Sequence, residues 1–253
     1  MKKRVKKEVS SMDAEKMVAD LTQWLRDQTA AAGAKGGVVG LSGGLDSSVV
    51  AALCCRAFGE NCLGLILPCY SHPQDAEHAW LVARHLNMPA KEIPLDEVYD
   101  RLVFLLTGQP YREGEVDMAL ANLKPRLRMA VLYFFANRLN YLVIGTDNLS
   151  EWSIGYFTKY GDGGVDLLPL ANLVKSEVRE LARYLGLPPV IIEKPPTAGL
   201  WPGQTDEGEM GFSYEVLDRY LRTREAPPEV KEKVERMMAA SEHKRRPPLR
   251  PPF

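Results

Sequence analysis

No apolar run in this chain reaches the length needed to cross a bilayer, which excludes a helical membrane protein. The basic stretch Met1-Lys2-Lys3-Arg4-Val5-Lys6-Lys7 is not followed by an apolar segment, so it reads as neither a secretion signal nor an anchor. Charge of one sign is also lacking. The formal net charge is -1, and broad attachment to nucleic acid or to an anionic membrane is not expected. Cysteine is scarce, and Cys54, Cys55, Cys62 and Cys69 fit no zinc or redox spacing. They read as reduced thiols of a cytoplasmic protein. Internal repeats are absent. A chain of 253 residues can bury one substantial α/β core, and a single domain over residues 1–253 is expected.

Two common nucleotide signatures are missing as well. No Lys-Ser/Thr pair closes a Walker loop, and the Gly-x-Gly-x-x-Gly dinucleotide fingerprint is not matched. What stands in their place is Gly40-Leu41-Ser42-Gly43-Gly44-Leu45-Asp46-Ser47-Ser48. Gly37-Val38-Val39-Gly40-Leu41 reads as a buried strand, and Val49 to Phe58 as a helix ended by Gly59. A strand, a Ser/Gly turn and a helix in that order make a nest of N–H groups at the positive end of a helix dipole, a site for phosphate. Gly43 and Gly44 supply positive φ and close approach, and Ser42, Ser47 and Ser48 supply hydroxyl donors. A carboxylate beside bound phosphate repels it unless a divalent cation lies between them. Asp46 therefore reads as a Mg²⁺ ligand.

Elsewhere the chain alternates strands and helices. Met12 to Ala32 is an amphipathic helix; Leu63-Gly64-Leu65-Ile66-Leu67 is a buried strand, followed by a helix over Asp75–Leu86. Ala90 to Leu95 reads as a peripheral strand and Asp96 to Leu106 as a helix, with a loop from Thr107 to Asp117. Pro125 suits the first turn of a helix that is apolar nearly all round from Met129 to Ala136. Such a helix must be covered, and a homodimer is expected. Tyr141 to Gly145 is a third strong strand, running into polar Thr146 to Glu151. Phe157 to Asp166 is Gly-rich and reads as a flexible loop, Leu167 to Leu170 as extended, and Lys175 to Leu185 as a helix. A loop from Ile192 to Gly211 is a candidate lid; Ser213 caps one helix, Pro228 starts another, and Ser241 to Pro248 is a basic tail. The pattern gives a doubly wound parallel sheet with helices on both faces, and such sheets bind ligands at the carboxyl ends of their strands.

The phosphate loop resembles the Ser-Gly-Gly-x-Asp-Ser loop of the PP-loop ATP pyrophosphatases, which have an adenine nucleotide α-hydrolase-like fold. Gly145-Thr146-Asp147-Asn148-Leu149-Ser150-Glu151 and Phe157-Thr158-Lys159-Tyr160-Gly161-Asp162-Gly163-Gly164 narrow the resemblance to the ammonia-dependent NAD synthetases, over nearly the whole chain. That resemblance implies two steps. The nicotinate carboxylate of deamido-NAD attacks the α-phosphorus of ATP, and ammonia then displaces AMP. It further implies that Gly40, Leu41, Ser42, Gly43, Gly44, Leu45, Asp46 and Ser47 hold ATP phosphates, with Thr146, Lys175 and Thr197 also on ATP. Asp46, Ser47 and Lys175 would be catalytic, and Asp46 and Glu151 would hold Mg²⁺. Arg126, Lys159, Asp166, His243 and Lys244 would contact deamido-NAD. On residue type alone, Thr146 equally ends a strand, Glu151 is a first-turn acid, Lys159 and Asp166 are loop charges, and the His243 region is a solvated tail. Lys175 opposes its helix dipole, which favours a phosphate role. Pro125 departs from the Ala that the family commonly carries there. A tRNA-modifying PP-loop enzyme would bring a paired-cysteine or RNA-binding module, and a nucleotide sensor would need no second acidic metal ligand; neither pattern suits the chain. No glutaminase unit is evident, so free ammonia is the expected nitrogen donor.

Overall fold

The computed structural model describes residues 12–114, 116–201 and 203–252; the basic stretch at residues 1–7 lies outside them. In chain order the elements are α1 (Ala14–Ala31), β1 (Gly36–Gly40), α2 (Leu45–Phe58), β2 (Cys62–Ile66), α3 (Pro73–His85), β3 (Ala90–Glu92) and α4 (Asp96–Thr107). There follow α5 (Met118–Ala121), α6 (Leu123–Leu139), β4 (Tyr141–Ile144), α7 (Leu149–Ile154) and α8 (Lys175–Tyr184). The chain ends with α9 (Pro189–Ile192), α10 (Asp206–Met210), α11 (Tyr214–Thr223), α12 (Pro228–Ala240) and α13 (Glu242–Arg245).

The sheet is parallel throughout, in the order β3-β2-β1-β4. Val38 pairs with Leu63 and Val143, and Val39 with Gly64 and Ile144. Successive side chains point to opposite faces, and both faces are buried. Val39, Ile66 and Ile144 therefore join the core beneath α1, α2, α3 and α8, while Val38, Leu65 and Val143 join a second core beneath α4 and α6. This is the doubly wound sheet expected from the sequence. A third apolar cluster, around Ile154, Met210, Leu217 and Val234, ties α7 to α10, α11 and α12.

The chain leaves β1 towards β2 on one side, and β4 docks on the other. The order thus reverses between β1 and β4, whose carboxyl ends lie side by side. The bends after Gly40 and after Ile144 open onto the same crevice.

Several boundaries differ from expectation for local reasons. The helix expected from Val49 begins at Leu45, because Gly44 sits extended at the N-cap (φ -94°) and Asp46 is a favourable first-turn acid. Of the two loop glycines, only Gly43 takes a positive φ (+71°). The peripheral strand stops at Glu92. Residues 192–211 are not all loop, since Thr205 caps α10 through Gly208 N. The Gly-rich segment 157–166 is tied by Thr158 N–H to Asp162 Oδ1 (2.9 Å) and by Gly161 N–H to Thr158 O (2.9 Å). The basic tail carries α13, which Arg245 fastens to Trp152 O (3.1 Å) and Met238 O (2.6 Å).

Candidate active site

A cavity of about 410 Å³ opens at the carboxyl ends of β1 and β4. Its floor is the bend after β1. Gly43 is irreplaceable on steric grounds: a Cβ there would stand 2.3 Å from Asp75 O and 2.8 Å from His78 Cβ, besides needing a left-handed backbone. The bend is held by its own hydroxyls. Ser47 Oγ donates to Gly44 O (3.1 Å) and accepts from Ser42 N–H (3.3 Å), and Ser42 Oγ accepts from Gly44 N–H (3.3 Å). Ser48 is fully buried and turns inward to Gly44 O (2.6 Å), so it is a brace rather than the ligand donor expected. The first-turn N–H groups of α2 lack intrahelical acceptors and face the cavity as a partial positive charge.

The roof of charge comes from three further elements. Asp46, in the first turn of α2, accepts from Lys175 Nζ at Oδ2 (2.5 Å) and from Asn148 Nδ2 at Oδ1 (2.9 Å). Asn148 is the N-cap of α7, and its side-chain oxygen accepts from Glu151 N–H (3.1 Å), which aims Glu151 back into the crevice. Glu151 Oε1 takes a second bond from Lys175 Nζ (2.9 Å). Lys175 opens α8, and its backbone is fixed by Ser150 Oγ (3.1 Å), while Asp218 holds Ser150 Oγ (2.6 Å) and Ser176 N–H (2.8 Å). One buried ammonium thus bridges two carboxylates from different elements.

The electrostatics follow from that arrangement. Burial pushes the Glu151 carboxyl up to about 7 against the pull of Lys175, and the neighbouring Asp46 charge adds to the rise. Burial opposes the charge on Lys175, but the Asp46 and Glu151 carboxylates outweigh it and hold the ammonium above its ordinary value. Asp147 is held well above the usual carboxylate range by burial and by the Asp162, Glu151 and Asp46 charges; its Oδ2 has no hydrogen-bond partner. The Tyr214 hydroxyl lies 3.0 Å from Glu151 Oε1 and 2.8 Å from Asp206 Oδ2, so its single proton serves one carboxylate at a time. Burial raises Asp206, so a protonated Asp206 can share in that contact.

Among the described residues, no group of three or more His, Cys, Asp or Glu side chains could hold a metal alone. A Mg²⁺ ion needs fewer protein ligands than that. This ion takes one or two carboxylates and completes its shell with water and substrate phosphates. The oxygen donors of Asp46 and Glu151, flanking an anion cradle, fit it.

Thr146, Lys175 and Thr197 all line the cavity with the phosphate bend. Thr197 lies in the stretch 194–201 that lines the cavity, and its Oγ donates to Gln204 O (2.7 Å). The remaining predicted residues divide. Lys244 lines the cavity and donates to Gly155 O and Phe157 O (2.8 Å each). Arg126, Lys159 and His243 form a linked rim: Arg126 Nη2 reaches Lys159 O (3.4 Å), and Lys159 Nζ reaches His243 O (2.6 Å). Asp166 is engaged with the fold, accepting from Tyr133 Oη (2.9 Å) and Val143 N–H (2.8 Å). Sequence reasoning missed Asn148, Tyr214, Asp206 and Lys194. Lys194 clamps the stretch 194–201 to Asp75 Oδ1 (2.7 Å) and Gly43 O (3.2 Å). Only Asn148 carried a usable signal, as a cap three residues before Glu151.

A doubly wound parallel sheet with a Ser-Gly-Gly-x-Asp-Ser bend at its reversal point, facing an acidic pair, defines a nucleotide-binding protein of the PP-loop class. The NAD synthase family model matches residues 17–248, and the chain belongs to that family. The NH3-dependent NAD+ synthetase of Carboxydothermus hydrogenoformans is 56% identical over 234 residues, 92% of this chain and 96% of that protein. Among solved structures, the NMN synthetase of Francisella tularensis superposes with a TM-score of 0.88 at 40% identity, covering 96% of this chain and 100% of that one. The NH3-dependent NAD synthetase of Campylobacter jejuni, solved with nitrate, gives 0.76 at 32% identity, covering 94% and 99%.

Proposed function

We propose that the protein is an ATP-dependent ligase that amidates deamido-NAD to NAD with free ammonia, the last step of NAD biosynthesis, and that it works as a cytoplasmic homodimer. A carboxylate is a poor electrophile because its leaving group would be oxide. In the first step a nicotinate carboxylate oxygen bonds to the α-phosphorus of ATP, the bond from that phosphorus to the β-bridging oxygen breaks, and pyrophosphate leaves. In the second, ammonia adds to the carbonyl carbon, the C–O bond to AMP breaks, and the amide remains after loss of a proton. The observation that carries this reading is the bend at Gly43 set against Asp46, Glu151 and Lys175 at one crevice.

Each part has a task. The α2 N-terminus and the Ser42–Ser47 bend receive the departing pyrophosphate, whose charge grows as the bond breaks. Lys175 holds the two carboxylates in place beside it, at 2.5 Å from Asp46 and 2.9 Å from Glu151. Mg²⁺, held by Asp46 and Glu151, would supply the further positive charge that three phosphates need. Thr146, Thr197 and Lys194 line the same crevice and would contact ATP there. Arg126, Lys159, Asp166, His243 and Lys244 would contact deamido-NAD, with Arg126, Lys159 and His243 linked to one another and Asp166 oriented by Tyr133 Oη and Val143 N–H. On α6, Val131, Leu132, Tyr133 and Phe135 pack on the core while Phe134 stays exposed, so a dimer contact there would centre on Phe134.

The F. tularensis likeness raises a second substrate, nicotinate mononucleotide, on which the same carboxylate chemistry would run. The test uses purified protein, ATP, MgCl2 and ammonium chloride with either deamido-NAD or nicotinate mononucleotide. The proposal expects pyrophosphate and AMP in step with NAD, and a higher kcat/KM for deamido-NAD. Turnover of the mononucleotide alone would replace the substrate, and no pyrophosphate with either would end the reading.

A further inference from the structure

The cysteines fit no redox spacing along the chain, yet two of them meet in space. Cys55 lies in the last turn of α2 and Cys62 opens β2. Between them the chain doubles back, with Gly59 N–H on Cys55 O (3.0 Å) and Asn61 N–H on Phe58 O (3.1 Å). Their Sγ atoms stand 3.6 Å apart. A disulfide needs about 2.05 Å, so the sulfurs have only about 1.5 Å to close. The pair sits at the far end of α2 from the phosphate bend, roughly 15 Å from the start of the helix at 1.5 Å per residue. It is therefore separate from the nucleotide site and independent of which substrate that site takes.

The two thiols are not equivalent. Cys55 is partly exposed, whereas Cys62 is 1% exposed. Cys54 and Cys69 are wholly buried and have no sulfur facing them at hydrogen-bond distance. The Cys62 proton has two acceptors, Gly59 O (3.1 Å) and Cys55 Sγ. We propose that Cys55 and Cys62 form a reversible oxidation site, in which Cys55 attacks a low-molecular-weight disulfide and Cys62 resolves the product. In the first step Cys55 Sγ bonds to one sulfur of the reagent, the reagent S–S bond breaks, and one small thiolate leaves. In the second, Cys62 Sγ bonds to Cys55 Sγ, the mixed S–S bond breaks, and the second small thiolate leaves with the Cys62 proton. Two protein thiols are oxidised and one small disulfide is reduced to two thiols. The hydrogen bond from Cys62 holds the Cys55 thiol below its ordinary value, while burial pushes Cys54 up, which favours Cys55 as the attacking sulfur.

The product staples the end of α2 to the start of β2 and closes an eight-residue ring, 55–62. The test incubates the full chain with glutathione disulfide, quenches with acid, alkylates without reduction and maps peptides by mass spectrometry. The expected result is Cys55 linked to Cys62 with loss of two hydrogens, Cys54 and Cys69 alkylated, and a melting temperature raised by roughly 5 °C that dithiothreitol reverses. Cys54→Ala should keep the linkage. Cys62→Ala should stop at a glutathione adduct on Cys55 with no rise in melting temperature. Four alkylated cysteines, a persistent adduct on wild-type Cys55, or a linkage through Cys54 would each overturn the proposal.

Discussion

Replacing Lys175 with Met tests the charge arrangement directly. The ammonium lies 2.5 Å from Asp46 and 2.9 Å from Glu151, and those side chains are only 15% and 13% exposed. Methionine fills most of the volume but leaves two buried carboxylates without their shared cation. Removing one member of a buried ion pair costs about 3–5 kcal/mol, because the charge left behind is uncompensated. The loss should be smaller in acid, since Glu151 already sits near 7 with Lys175 present and rises further without it. A protonated Glu151 needs no countercharge. Urea unfolding of Lys175→Met and wild type at pH 8 and pH 6, both with chelator, measures this. The double variant Lys175→Met/Glu151→Gln should recover part of the loss at pH 8, and added MgCl2 should stabilise the single variant. Equal stability of Lys175→Met and wild type at both values would refute the reasoning.

Other perturbations probe separate parts. Gly43→Ala should cost at least about 1–2 kcal/mol for the left-handed backbone alone, with a further cost from the approach to Asp75 O, read as a lower urea midpoint together with lost pyrophosphate release. In metal-free protein the folded state keeps the Glu151 proton to a higher pH than the unfolded chain does. That contribution is complete below about 4.5 and is lost as pH rises to about 7, a fall of about 3 kcal/mol that Glu151→Gln should abolish; a flat difference between the two proteins counts against it. Lys124, 1% exposed, donates to Leu200 O (2.8 Å) from among the rings of Tyr70, Tyr99 and Tyr111. Lys124→Met should therefore speed proteolytic cleavage within 193–205 more than it lowers the urea midpoint, and unchanged cleavage would argue against a latch. Phe134→Glu should convert a sedimenting dimer to monomer, and a wild-type monomer at micromolar concentration would remove the basis for covering α6.

Much of this was legible because local rules and tertiary needs agree. Pro228 does start α12, Ser213 does cap α11, and the apolar strands lie within a residue of their expected bounds. The bend around Asp46 was legible because a buried strand, a glycine able to take positive φ and a helix start follow one another there, and Gly43 does take it. Partnership across the fold was harder. Tyr214 reaches Glu151 from 63 positions away, and no periodicity marks that meeting. Ser48 looks like Ser47 in sequence, and both hydroxyls donate to Gly44 O, yet only Ser47 also meets Ser42 and lines the cavity. Lys194 sits among prolines with nothing local to signal its bond to Asp75. Cys55 and Cys62 met only because the turn at Gly59 is tight.

The bridge made by Lys175 joins the starts of α2, α7 and α8 through one atom, with α11 attached by Tyr214. Its parts are contributed by stretches scattered from residue 46 to residue 214. During synthesis or refolding, then, no fragment owns a finished crevice. Competence to handle ATP should return as a single late event, when the last of these stretches docks, and partly assembled molecules should remain inert towards the nucleotide.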